Sequence, residues 1–430
     1  MTTLILVIFI LGYLAIALEH PLGIDKTAPA LLIGALCWSV LALNTPGAEV
    51  HHLQDHMAHH LSDIASILFF LLAAMTIVEL IDSYGGFRVI TDRINTTNRV
   101  KLLWIISVLS FFVSSVLDNL TTTIVMVALL RRMIRSRDDL WLMAGFVVIA
   151  ANAGGAWSPI GDVTTIMLWI GGQISTVPVM TELIIPSLVC LIVPLLLASL
   201  RMRGDVERPV ENEMESSQTV TVTDFQRKLI LIVGVGALVF VPIFKSITHL
   251  PPYAGLLLGL AVLWTMTEIM SRSQDHVTRG HLAVSGILRR IDTPSVLFFL
   301  GILLAVAALE TAGILGQTAQ WLDKSVGNIA IINGLIGLLS AVVDNVPLVA
   351  GAMGMYDLAT YPVDHLFWHL LAYCAGTGGS ILIIGSAAGV AAMGLLHIDF
   401  LWYLKRVSLL ALAGYLAGLG VLLALKALGI

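Results

Sequence analysis

Long apolar runs separated by short polar or charged turns alternate along the whole 430-residue chain. They fall at about 3–18, 28–43, 64–81, 102–131, 140–170, 182–200, 229–244, 252–270, 293–312, 328–356, 365–395 and 407–428. A helix needs roughly 20 apolar residues to cross a bilayer, and most of these runs match one crossing. The longer ones carry polar interruptions. In 102–131 the cluster Asp118-Asn119-Leu120-Thr121-Thr122-Thr123 leaves arms of about 16 and 10 residues. At about 1.5 Å per residue these reach roughly 24 and 15 Å, short of a hydrocarbon core of about 30 Å. The pattern predicts a re-entrant hairpin. Gly337 to Tyr356 repeats it around Asp344-Asn345-Val346-Pro347, where Pro347 suits the first turn of a helix. The runs 140–170 and 365–395 each hold a crossing plus a break, near 152–159 and 375–380, and predict discontinuous helices.

The two Asp-Asn pairs lie 226 residues apart, close to half the chain, and the other runs superpose under the same shift. Asp63 to Leu71 answers Asp292 to Leu300, and Gly154, Gly155 and Gly161 answer Gly378, Gly379 and Gly385. Five crossings per repeat is an odd number, so the second copy inserts upside down. The expected fold is an all-α polytopic membrane protein: two inverted-topology repeats of five transmembrane helices plus one re-entrant hairpin each, with discontinuous helices at mid-membrane. The first repeat spans 1–200, a cytoplasmic linker 201–228 and the second repeat 229–430. A scaffold of about 1–85 and 229–315 would carry a transport part of about 102–200 and 328–430. Inverted repeats with broken helices at the midplane are the architecture of secondary transporters.

Composition narrows the class. The chain is 58% hydrophobic and 12% charged, with a mean hydropathy of +0.94, against about 25% charged residues in soluble domains. The bilayer is its expected partner; an enzyme, a nucleic-acid partner or a soluble partner is not implied. Of the 23 Lys and Arg residues, 20 fall on one side of the expected topology, leaving Lys245, Lys324 and Lys426 opposite. The positive-inside rule makes that side the cytoplasm and puts both termini outside. The first run, Leu4 to Leu18, lacks a basic start and reads as a retained helix rather than a cleaved signal. Cys37, Cys190 and Cys374 sit in apolar runs without metal spacing and read as core residues.

Charged residues inside a membrane mark function by default. The interrupted runs supply Asp118, Asn119, Thr122, Thr123, Asn152, Ser158, Asp162, Thr164 and Thr165 from the first half, and Asp344, Asn345, Thr377, Ser380 and Ser386 from the second. Three carboxylates with amides and hydroxyls, and no Lys, Arg or His in these polar centres, predict a cation site. Oxygen ligation suits Na+ or Li+, with Asp118, Asn119, Asn152, Asp162, Asp344 and Asn345 as expected contacts. A carboxylate in a dry site takes either a proton or a cation, which is sufficient for exchange. The aspartates can equally cap helices, and Asp162 has Ser386 rather than a carboxylate as its counterpart. Glu79, Asp82, Glu310, Glu182 and Glu268 near run ends read as interfacial. His51, His52, His56, His59 and His60 read as a solvated outer loop, with zinc binding or pH sensing the lesser reading.

The chain resembles the NhaD-type Na+/H+ antiporters, members of the ion transporter superfamily that also holds arsenite exporters and dicarboxylate carriers. The resemblance lies in Ser114 to Thr123, Asn152 to Thr165 and Ser340 to Pro347, and extends end to end. It implies Asp118, Asn119, Asn152, Asp162, Thr164, Thr165, Asp344, Ser380 and Ser386 as site residues. It also implies export of Na+ or Li+ against protons, pH homeostasis at alkaline pH, no cofactor, a homodimer, a bacterial inner membrane and an elevator-type motion. Dicarboxylate relatives carry Ser-Asn-Thr at the hairpin tips; the aspartates here point to cations alone. An arsenite or other oxyanion exporter, or a gated cation channel, is the alternative reading.

Overall fold

The computed structural model describes residues 2–17, 19–47, 50–91, 94, 96–207, 222–271 and 283–429. Half of the 201–228 linker, part of the basic stretch 272–290 and Glu49 therefore lie outside the described residues. The described chain is helical apart from one isolated bridge between Asn98 and Asp205. Its principal helices are α1 (Thr2–Ala17), α2 (Thr27–Asn44), α3 (Val50–Ser83), α4 (Arg99–Leu117), α5 (Asn119–Met133), α6 (Arg137–Ala156), α7 (Val163–Ile170), α8 (Thr176–Ser199), α9 (Asp224–Thr248), α10 (Pro252–Ser271), α11 (Thr293–Thr311), α12 (Ile314–Ser325), α13 (Ile329–Leu339), α14 (Asn345–Met355), α15 (Leu366–Gly378), α16 (Ala387–Leu396) and α17 (Phe400–Ala427). Nine of the described helices are long and apolar enough to cross a bilayer, or ten if α12 and α13, bent by 120°, form one broken span. The protein is an all-α, multi-pass membrane protein.

Three elements depart from the sequence expectation. The histidines at 51–60 are not in a loop but in the first turns of α3, which runs 34 residues. Asp292 caps α11 through the Ser295 amide, with Pro294 in the first turn. Proline is tolerated only there, so α11 starts at that point; Ala65 stands in the matching place of α3, and nothing stops the helix from running back to Val50. Second, α12 was not foreseen, because its sequence ILGQTAQWLDKS alternates apolar and polar faces instead of forming an apolar run. Third, α4 starts at Arg99, with Asn98 capping the Lys101 amide. Its 19 residues span roughly 28 Å, longer than the expected arm and enough to cross. The other arms, α5 with 15 residues, and α13 and α14 with 11 each, stay shorter.

Close backbone approaches hold α6 against α4 and α15 against α13. A Cβ on Gly154 of α6 would lie 2.1 Å from the Phe111 carbonyl oxygen of α4, and one on Gly378 of α15 would lie 2.0 Å from that of Gly337 on α13. Beside them the Ser114 hydroxyl donates to the Ala151 carbonyl (2.6 Å) and the Ser340 hydroxyl to the Ala375 carbonyl (2.8 Å). Every second contact in these pairs follows its first by 224–226 residues. Small residues let membrane helices meet where no hydrophobic driving force exists between them. The same device joins α2 to α11, where Gly34 and Gly301 face each other's backbones and the Trp38 indole N–H reaches the Leu304 carbonyl at 2.9 Å. In α8, Pro194 has no N–H for the Cys190 carbonyl; Gly414 of α17 packs onto that oxygen, where a Cβ would come within 2.2 Å.

Candidate functional site

Each interruption ends with a polar residue that starts the next helix. Asp118 joins α4 to α5 with φ of +90°, a region that costs a non-glycine residue roughly 1–3 kcal/mol. Its carboxylate offsets this by accepting from the Thr121 amide and hydroxyl, both at 2.8 Å. Asp344 takes the Val346 amide at 3.2 Å and opens α14, with Pro347 in the first turn as expected. Asp162 opens α7: its carboxylate faces the Thr164 amide at 3.4 Å, while the Thr165 hydroxyl accepts from the Asp162 amide at 3.3 Å. Ser386 does the same for α16 through the Gly389 amide at 3.2 Å. Capping is thus the local reason for each residue, and it aims side chains of both halves at one place.

There the two halves meet. α5 packs on α16, and α14 on α7. The Asn345 amide donates to the Asp162 carboxylate at 3.2 Å. The Asn119 amide donates to the Asn152 carbonyl at 3.0 Å, and the Asn152 amide donates in turn to the Ser386 hydroxyl at 2.9 Å. All five side chains are buried, Asp162 to 1% exposure. Asn152→Ala would leave the Asn119 amide without its acceptor in a buried place, where an unsatisfied group costs about 1–3 kcal/mol, and would take one of two donors from the Ser386 hydroxyl, which keeps the Gly389 amide. A melting temperature of the purified variant well below wild type is the expected result; an unchanged one would mean that the bridge does not form.

The other expected residues divide. Thr165 also donates to the Asp162 carbonyl at 2.9 Å, and Thr164 is buried beside it. The Thr122 and Thr123 hydroxyls are buried without a hydrogen-bond partner among the described residues. Ser158 only accepts from the Ile160 amide within its own turn. Thr377 and Ser380 donate locally, Thr377 to the Tyr373 carbonyl and Ser380 to the Thr377 carbonyl, both 2.6 Å. Among the described residues no group of three or more His, Cys, Asp or Glu is close enough to hold a metal ion, so the three aspartates share a neighbourhood without forming one tight ligand shell.

Two charged contacts lie beyond the sequence reading. The polar centres hold no basic residue, but Lys26, from outside them, places its ammonium 3.2 Å from the Asp344 carboxylate. The pairing spans 318 residues, and no local motif announces it. Glu182, read as interfacial, binds the buried His369 imidazole at 2.5 Å and the Lys426 ammonium at 2.8 Å. The signal of this contact in the sequence is a histidine inside the apolar run 365–395. At the remaining acidic positions, Glu79 lies 3.9 Å from Arg290, and His60 of the histidine-rich stretch approaches the Thr311 hydroxyl at 3.4 Å.

Comparison with known proteins gives this geometry its context. A family model described as citrate transporter, CitMHS, matches residues 5–373. The chain is 49% identical to sodium/proton antiporter 1 of Arabidopsis thaliana, over 97% of this chain and 71% of that protein. It is 48% identical to sodium/proton antiporter 2 of the same plant, over 97% and 98% of the two chains. The Na+/H+ antiporter NhaD of Vibrio cholerae is 32% identical, over 96% and 90%. The chain belongs to the NhaD-related Na+/H+ antiporter family. The matches to antiporter 2 and to NhaD cover almost the whole chain.

Proposed function

We propose that the protein is a secondary active transporter that exchanges Na+ or Li+ for protons at the place where Asp162, Asn345, Asn119, Asn152 and Ser386 meet. The observation that carries this reading is the Asn345 to Asp162 hydrogen bond, which joins the start of one half's hairpin helix to the start of the other half's post-break helix. Buried carboxylates with amide and hydroxyl oxygens suit a small hard cation. The family model's description is of citrate carriers, yet the cation that reaches this place, Lys26, already faces Asp344. A tricarboxylate would therefore meet net negative charge. Bound Na+ displaces protons from the aspartates, and protons return once it is released; the asparagine, threonine and backbone oxygens replace the ion's water.

The recurrence of the glycine and serine contacts at a spacing of 224–226 residues supports two inverted repeats of five crossings and a hairpin, with 1–200 and 229–430 as the units. On that reading the hairpins, broken helices, α8 and α17 form the part that moves, against a scaffold of α1–α3 and α9–α11, in an elevator-type cycle. Both termini would face out of a bacterial inner membrane, and the working unit would be a homodimer.

Competition between proton and cation sets a sign for pH dependence. As the pH on the Na+-loading side rises, fewer aspartates hold protons, so the Na+ concentration for half-maximal exchange falls. Where one proton competes with one ion, the fall is about tenfold per pH unit while the carboxylates are mostly protonated, and it levels off once they are ionised. Na+ titrations of dye dequenching in everted vesicles at several pH values test this. A half-saturation that does not move with pH would contradict a shared site.

A further inference from the structure

Lys26 precedes α2, one of the helices outside the interrupted group, while Asp344 opens the hairpin helix α14. The ammonium lies 3.2 Å from Asp344 Oδ2, with both side chains largely enclosed, at 20% and 13% exposure. The Lys26 ammonium also sits over the Phe298 ring of α11, 4.5 Å from its centroid, a cation–π contact. Asp344 has its other oxygen on the Val346 amide, so Lys26 is the cation that balances it. The pair borders a cleft that also exposes Tyr13, Glu19, Val343 and Ile384, and the Tyr13 hydroxyl there is buried without a hydrogen-bond partner. An ion reaching Asp344 through this cleft meets a carboxylate already held by a charge of its own sign. Two cations at contact distance from one oxygen repel strongly where water is scarce.

We propose that Lys26 is a tethered cation that competes with the transported ion for Asp344. The ammonium occupies the carboxylate when no ion is bound and has to withdraw before Asp344 can contribute to Na+ binding. Because the pair ties α2 to the hairpin, it also links ion arrival to release of the interrupted helices from their neighbours. This inference rests on the antiport reading above and adds to it a competitor built into the chain.

The test compares wild type, Lys26→Gln and Lys26→Arg in everted vesicles, with Na+ titrated at one fixed alkaline pH and dye dequenching as the readout. Removing the competing charge lowers the half-saturating Na+ in Lys26→Gln by about five- to tenfold, the scale of a partly enclosed ion pair. Lys26→Arg, which keeps the charge, stays within about twofold of wild type. The purified Lys26→Gln protein is correspondingly stabilised against heating at lower Na+ than wild type, a readout independent of turnover. If Lys26→Gln fails to accumulate, Lys26→Met, whose apolar stem still covers Phe298, carries the same expectation. A half-saturation that is unchanged or raised in the charge-free variants, with Na+ response intact in wild type, overturns the tethered-cation proposal alone. Wild-type vesicles with no Na+ response overturn the antiport reading, and the proposal with it.

Discussion

Asp162→Asn is expected to abolish Na+-dependent proton release from energised everted vesicles while leaving the protein folded. Asparagine caps a helix as well as aspartate does, so α7 keeps its start, and the amide oxygen can still accept from Asn345. What is lost is the negative charge and the ability to exchange a proton for an ion. Removing one partner of a buried charge pair costs about 3–5 kcal/mol, and each 1.4 kcal/mol is about tenfold in affinity. A loss of Na+ affinity of at least about a hundredfold follows. Dye dequenching on addition of Na+ or Li+ measures it, with the melting temperature of the purified variant as the control for folding. Wild-type dequenching by a folded Asp162→Asn protein would remove Asp162 from the ion site and leave it as a helix cap.

The second large effect is on stability. Gly378→Ala places a methyl group 2.0 Å from the Gly337 carbonyl oxygen, and Gly154→Ala places one 2.1 Å from that of Phe111. Both obstacles are backbone, so relief means separating α15 from α13, or α6 from α4. That separation also breaks the serine-to-carbonyl bonds of Ser340 and Ser114. Overpacking of a tight interior costs about 1–3 kcal/mol and more when backbone has to move, so each variant should show a sharply lowered melting temperature or fail to accumulate. Gly351→Ala is the control, because a Cβ on Gly351 of α14 meets nothing within 4 Å. If Gly378→Ala melted with the control, the close approach of α15 to the hairpin would be contradicted.

How far the chain could be read without coordinates follows from where each signal sits. Asp118 and Asp344 announce helix breaks because a capping residue in an apolar run has a local meaning, and both breaks fall there. Asp162 was legible for the same reason, though capping alone did not reveal that Asn345 would reach it across 183 residues. The length of α3 was misjudged because its polar histidine turns look like a loop, while the feature that decides the matter is the absence of a proline at position 65. α12 escaped because an amphipathic helix leaves no long apolar run. Lys26 escaped for a different reason: a lysine at the head of a span reads as an interfacial anchor, and only folding brings it to Asp344. The Glu182, His369 and Lys426 contacts are likewise long-range, pairing side chains of three helices that the sequence places in one transport part without saying which residues meet. Thr377 and Ser380 show another limit, since the sequence does not say that their hydroxyls donate to neighbouring carbonyls.

The central claim is coupled exchange of a small cation for protons. It is tested most directly by the purified protein in liposomes, with an imposed pH gradient and radiolabelled Na+ or citrate outside. The account predicts saturable Na+ uptake that requires an acidic interior, dissipates the gradient as it proceeds, and is lost in Asp162→Asn, with no uptake of citrate. Citrate uptake, or Na+ uptake that neither needs nor dissipates the pH gradient, would contradict it.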